Sequence, residues 1–262
     1  GKFQWEVPEE LEFKAYLLIE QLDTSGSGGC SFDGGTANSV TIGAEELPCN
    51  WLASDLSVNV STKFTFHNGG LVGMAGAFEF AEGGISFESF EIPDLAAAVA
   101  FGLQENYLSA SVRAIFSGSE VAGGVFFGRT CTLDPIEMID PQVAGVLGAP
   151  PFSGAYVYGE AWIPIVDFGC VFNVAAGVGA GAFYFVEGPT YGAKILLGAK
   201  GEALCVVTIR GEISMVGVKS GGELSASGQG KLSGKAGACP FCVKFNKTVT
   251  ATFKNGRWDV DY

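Results

Sequence analysis

Charge is what this chain has least of: 16% of its 262 residues are Asp, Glu, Lys or Arg, against about a quarter in an ordinary soluble domain. There is a single histidine, His67, so any Ser–His or Cys–His catalysis would have to pass through it. It stands beside Asn68-Gly69, where a solvated turn residue is the ordinary expectation. Apolar runs are short. The longest approach to a span, Asp94–Leu103, falls well below the roughly 18 residues a membrane-crossing helix needs. The sequence holds no D-x-[DN]-x-[DN]-G calcium loop and no Gly-rich loop followed by Lys-Ser/Thr. Glu88, Glu91 and Asp94 alternate as carboxylates do on any acidic sheet, and carry no glycosidase signature. The expectation is a protein that is not an enzyme and needs no cofactor or metal.

The formal charge of −13 argues against nucleic-acid and anionic-membrane partners, because both select basic patches. Cysteine is present seven times, which fits an oxidising, extracytoplasmic setting. The chain opens at Gly1 without an initiator Met or apolar leader, an opening expected of a processed mature protein. Extracellular or cell-surface localisation is the resulting expectation.

What is abundant is glycine, 39 residues without a collagen period, together with 21 Phe and 48% hydrophobic residues. The apolar residues fall in short alternating runs, the period of a β-sheet. Val174–Phe185 is the extreme case. One face carries Val174, Ala176, Val178, Ala180, Ala182 and Tyr184, and the other Ala175, Gly177, Gly179, Gly181, Phe183 and Phe185. Interior glycines disfavour a helix. A strand covered on both faces is expected, its glycine row admitting a close backbone from another sheet.

Strands are expected at Leu11–Leu22, Val40–Ile42, Leu56–His67, Leu71–Phe80, Ile85–Ile92, Ala96–Leu103, Tyr107–Ser117 and Val121–Thr130. They resume at Ala155–Val166, Cys170–Ala176, Gly177–Val186, Tyr191–Ala199, Ala203–Ile213, Met215–Lys219, Leu224–Ala238, Val243–Phe253 and the Arg257–Tyr262 end. Turn residues between them leave too little chain for parallel crossovers, so neighbours are antiparallel. Asn68-Gly69 is the strongest hairpin signal, with Asn255-Gly256 a second. In Leu224–Ala238 a polar face of Ser, Gln and Lys suggests a strand that lines solvent. One helical interruption is expected near 134–147. Asp134 is read as its N-cap, Pro135 as its first residue and Glu137 as the capping-box partner, with Pro141 as a break.

The fold class is therefore all-β, a large antiparallel meander of roughly 14–16 strands forming stacked sheets or a flattened barrel. Its expected divisions are an N-terminal arm (1–10), a first β half (11–133), a helix- and proline-bearing connector (134–151) and a Gly-rich second half (152–262). The two halves are read as one continuous domain.

Cys239-Pro-Phe-Cys242-Val-Lys resembles the glutaredoxin redox motif over about six residues, which implies a helix opening at the first thiol. The adjoining Val243–Phe253 segment reads as a strand, so a local disulfide is favoured. Cys30–Cys49 and Cys239–Cys242 are the pairings that proximity suggests. Cys131, Cys170 and Cys205 then share one bond and one spare thiol, available for cross-linking. Asn59-Val-Ser61 and Asn246-Lys-Thr248 match the N-glycosylation sequon.

These observations point first to a secreted structural protein that assembles with copies of itself through sheet edges and disulfides into a sheath, filament or surface layer. Phe3, Trp5 and Val7 in the arm, with Trp258 and Tyr262 at the other end, are the candidate assembly contacts. The Gly-Ala alternation is similar to silk-like sheets over about eight residues. The alternatives are an outer-membrane β-barrel, suggested by strands of this length and an aromatic-ended final segment, and a soluble β-sheet protein binding a glycan or lipid. Each implies contact with a cell envelope or its surroundings.

Overall fold

The computed structural model describes residues 2–5, 14–22, 30, 32, 35–49, 53, 55–148, 150–169, 171–187, 189–204, 206–237, 242–254 and 257–261. Val7, Cys170, Cys205, Cys239, Tyr262, the 24–29 loop and the Asn255-Gly256 turn lie outside them, as do the side chains of Phe3, Trp5 and Trp258. The described chain is one antiparallel sheet whose strands succeed one another in sequence order. The path runs β1 (Lys2–Trp5), β2 (Lys14–Leu22), β3 (Ala37–Pro48), β4 (Ser57–His67), β5 (Gly70–Glu82), β7 (Phe90–Gly102), β8 (Asn106–Phe116) and β9 (Ser119–Thr130). It continues through β10 (Phe152–Asp167), β11 (Phe172–Phe185), β12 (Thr190–Ala203), β13 (Val207–Ser220), β14 (Glu223–Ala236), β15 (Val243–Lys254) and β16 (Arg257–Asp261). The short β6 (Ile85–Phe87) lies off this path and pairs with β7.

The meander is as the alternation foretold. It is a single sheet, neither two stacked sheets nor a closed barrel, and β9 pairs directly with β10 across the connector. Asn68 and Gly69 take the positive φ values of 50° and 81° that a two-residue hairpin between β4 and β5 requires. The stretch read as two strands meeting at Ala176-Gly177 is one strand, β11, because its glycine face is filled by neighbouring side chains and needs no break.

The connector forms two short helices, α1 (Asp134–Glu137) and α2 (Pro141–Val146). The cap sits elsewhere than expected. Asp134 is the first residue of α1, whose N-cap is Leu133 without a side-chain bond. Asp140 caps α2 instead, accepting from the backbone N–H groups of Gln142 and Val143 at 3.0 and 3.3 Å. Its Asp-Pro pair has the same cap-then-proline logic as Asp134-Pro135.

The helices lie on one face of the sheet and make the core there. Ile136, Val143, Ala144 and Leu147 pack with Phe126, Phe152, Tyr156, Phe183, Phe185, Val216 and Val218. Ser109 on β8 donates to the Pro135 carbonyl at 2.5 Å, pinning α1 to the sheet. The sheet curls around the pair. Met138 borders a cleft with Tyr16 and Asn59 of β2 and β4, while Gln142 shares a cavity with Gln229 and Lys231 of β14.

A polar inner face and an apolar outer face

Pairing registers from β8 to β14 carry one alternation across the whole sheet. Inward, on the helix side, stand Arg113, Glu120, Glu160, Lys194, Arg210, Glu212 and Lys231, brought level by their strand partners. Outward stand Val125, Val157, Val178, Ile195, Ile213 and Met215, all exposed. Among the described outward positions of β8–β14 the charged residues are Arg129 and Lys219, both at the same rim. Leu197, Ile213, Leu232 and Val249 continue this apolar surface across β12 to β15, interrupted on β15 by Lys247 opposite Leu232.

The inner face is built by aromatic rings laid over glycines. Trp162 of β10 lies across Gly177 and Gly198, where an added Cβ would come within 2.6 and 2.4 Å of the indole. Tyr158 occupies the space beside Gly179 and Gly181 in the same way. The bare row of β11 therefore seats side chains of the adjacent strand, not a second backbone. The other face of β11 is uncovered, Val178 and Tyr184 being 51% and 54% exposed. Both points correct the expectation of a strand sandwiched between sheets.

At the centre, Lys194 on β12 donates to Asp140 Oδ2 at 2.7 Å, with both side chains buried. The Tyr156 hydroxyl donates to the same oxygen at 2.7 Å, and the Lys194 ammonium lies 4.7 Å from the Tyr158 ring centroid. Asp140 thus joins the helix cap, the core tyrosine and the sheet at one carboxylate. Burial first, then the Asp140 charge, pushes the Tyr156 hydroxyl far above its ordinary value. Burial first, then its bond to Glu160, does the same to Tyr158.

Beside this cluster is a cavity of about 600 Å³ between the helices and the wall. Charges at and beside it are paired: across strands Arg113 with Asp94 and Glu120 at 3.2 and 3.5 Å and Glu212 with Lys231 at 3.8 Å, and within β13 Glu212 with Arg210 at 3.1 Å. Arg210 also stacks over Trp162 at 4.1 Å. The polar face of β14, expected to line solvent, turns inward: Gln229 and Lys231 line this cavity and Ser227 is buried. Among the described residues no group of three or more His, Cys, Asp or Glu is placed to hold a metal ion.

No protein-family model, curated protein or solved structure matches the chain.

The residues singled out from sequence lie apart from this cluster. His67 stacks on Phe32, ring centroids 4.7 Å apart. Asn59 donates to Glu79 at 2.8 Å on the inner face, and Asn246 lies on β15 opposite Ser233. Cys30 bonds Cys131, Cα atoms 5.6 Å apart, in place of the expected Cys30–Cys49 pair. Proximity in sequence misled, because the curl of the sheet brings the β2–β3 loop to the end of β9. Cys49 is a free thiol and Cys242 is disulfide-bonded. The sequence signal for the central cluster was Lys194, a lone charge in the apolar Tyr191–Leu197 run.

Proposed function

We propose that this chain is a membrane-embedded β protein of a cell envelope, a curved wall whose outer face contacts lipid and whose polar inner face holds α1 and α2 as a plug. The observation that carries this reading is the separation of the two faces: outward apolar and exposed, inward an apolar core against the helices beside a polar, charge-paired cavity. Transmembrane β-barrels carry that pattern, and soluble monomers rarely expose so continuous an apolar surface. The dimensions agree. On β13 the outward apolar positions run from Val207 to Gly217, about 33 Å along the strand at ~3.3 Å per residue. Tilted by about 40°, as in such barrels, that is about 25 Å across the membrane. Tyr184 and Tyr191 face each other at one rim, and the Lys219 ammonium sits 6.0 Å from the Tyr191 ring centroid. Aromatic rings and a snorkelling lysine are what a headgroup boundary selects. The helices here are too short to cross a membrane, which leaves strand crossing untouched.

The test is extraction and sedimentation. A particle that needs detergent to stay dispersed, and whose gel mobility changes on heating, supports the reading. A monodisperse protein in plain buffer sinks it.

The second reading is the extracellular sheath or layer of self-associating copies. Its supporting observation is that, among the described residues, the path of the sheet does not close and ends at β1 and β16, and strand edges template pairing with further chains. Large assemblies that form without detergent and resist denaturant would favour it. Neither reading assigns a reaction or a cofactor.

A further inference from the structure

We infer that the inner face of β12–β15 is a binding site for a small polyanion, a solute carrying two or more phosphate or sulfate groups. Whether the outer face meets lipid or water does not bear on it, because the site lies on the opposite side of the sheet.

The site is assembled by register. Lys200 of β12 stands directly opposite Arg210 of β13, and Lys235 of β14 stands directly opposite Lys244 of β15. Ser233 and Asn246 continue the row of Lys200 and Arg210 across β14 and β15, so the two pairs lie in adjoining rows. Lys231 is on the same face of β14, two inward positions from Lys235. Strands are about 4.8 Å apart, so the three spacings from β12 to β15 make a patch about 14 Å across.

Like charges directly opposite one another oppose strand pairing, and here that happens twice, side by side. The acids within the patch are Glu202 and Glu212, which leaves the five cations with a surplus of three charges. Glu212 is taken up by Arg210 and Lys231. Lys200, Lys235 and Lys244 have no ion pair among the described residues. The neighbouring elements do not neutralise them. α2 borders the same cavity as Lys231 through Gln142, and has no charged residue from Pro141 to Val146. Asp259 and Asp261 of β16 stand farther along β15, opposite Thr252 and Thr250.

The unused hydrogen-bonding groups beside the patch are donors as well. Gln142 Nε2 is buried without an acceptor among the described residues, in the cavity that Arg210 and Lys231 also line. Trp162 Nε1, whose ring lies against the Arg210 guanidinium, is likewise buried and unpartnered. Buried donors in a native protein ordinarily find a partner. Phosphate and sulfate oxygens accept without donating and carry the missing charge, so they complement lysines and idle N–H groups together. The patch is wider than one such group needs, and so suits several on one solute. The formal charge of −13 repels a long polyanion over most of the protein's surface, so the solute is short.

The test is titration calorimetry on the full chain, in neutral detergent or plain buffer, whichever disperses it. The probes are inorganic tripolyphosphate and inorganic phosphate. Tripolyphosphate should bind one to one, more tightly than phosphate, and more weakly as salt is added. Lys235→Gln with Lys244→Gln should weaken it by about a hundredfold, roughly tenfold for each charge-assisted bond lost. The charge-matched Lys63→Gln with Lys219→Gln, on β4 and the far end of β13, should leave it unchanged. Without the anion, the Lys235/Lys244 variant should unfold no earlier than the parent, because a like-charge pair has gone. With it, the unfolding midpoint of the parent should rise and that of the variant should stay. Absence of saturable binding by the folded parent would overturn the proposal, as would equal affinity for the two probes. So would equal weakening in the two double variants, which would make the effect one of overall charge. A lower midpoint for the Lys235/Lys244 variant without anion would assign those lysines to the fold, and also overturn it. A membrane reading that fails through dispersal in plain buffer leaves each of these outcomes readable.

Discussion

Asp140 takes on three partners at one carboxylate: the first turn of α2, the Tyr156 hydroxyl and the Lys194 ammonium. Removing Lys194 leaves a buried anion with too few donors, a loss that typically costs about 3–5 kcal/mol. Lys194→Ala should therefore lower the denaturant midpoint sharply. Lys194→Met combined with Asp140→Asn, which removes both charges and keeps a capping side chain, should recover much of the loss. Equal destabilisation by the single and double variants would show that the pair contributes only packing. The tyrosines add a pH limit. Burial, then the Glu105 charge, raises Tyr107 to about 12, and Tyr156 and Tyr158 are pushed higher still. A raised folded-state pKa binds the proton more tightly in the folded protein. The associated stability is thus intact below about pH 10, the unfolded tyrosine value, and falls as pH climbs from there through the folded values. Absorbance titration should show these hydroxyls ionising only with unfolding, and Tyr156→Phe should lessen the alkaline loss. Early, reversible ionisation of all seven tyrosines would contradict their burial.

Strand periodicity was legible in the sequence, because a side-chain period of two is a local property of the backbone. Which face was inner was not. In β11 both rows are apolar, and only the bulky neighbours on β10 decide that the glycine row is filled while the Val-Ala row is open. Gly177 tests this directly: an added Cβ would meet the Trp162 ring at 2.6 Å. Gly177→Val should therefore cost about 1–3 kcal/mol as overpacking does, and Val178→Ala next to it much less. Comparable effects at the two positions would mean that the ring does not occupy the glycine row. The helical interruption was legible as well, from its Asp-Pro signals. The choice between Asp134 and Asp140 as the capping residue was not, because it depends on Tyr156 and Lys194, which lie 16 and 54 residues beyond Asp140. On the outer face, Ile195 of β12 is central and 54% exposed. In lipid, Ile195→Arg should cost about 2–4 kcal/mol, read as a loss of folding yield into vesicles. In water the same change at so exposed a position would be nearly neutral, so unchanged yield would count against lipid contact.

Across the whole molecule, the sheet's course was readable from turn spacing, but its curl was not, and the disulfide shows why. Cys30 and Cys131 are 101 residues apart and meet only because the wall turns inward around α1 and α2. A cross-link closing a loop of that size restricts the unfolded chain by about 4.7 kcal/mol on the chain-entropy view. Reduction should therefore lower the unfolding midpoint without dispersing the core of Phe126, Tyr156 and Phe185, which owes nothing to the bond. The measurement is a denaturant titration with and without reductant, alongside Cys131→Ser. The variant should match the reduced protein in midpoint, apart from any contribution of the Cys242 disulfide, and reductant should move it much less than it moves the parent chain. If reductant shifts parent and variant equally, the stabilising bond lies elsewhere in the chain. A single reactive thiol before reduction at Cys49, the free cysteine of the described residues, would confirm that the shift is not caused by reshuffled pairs.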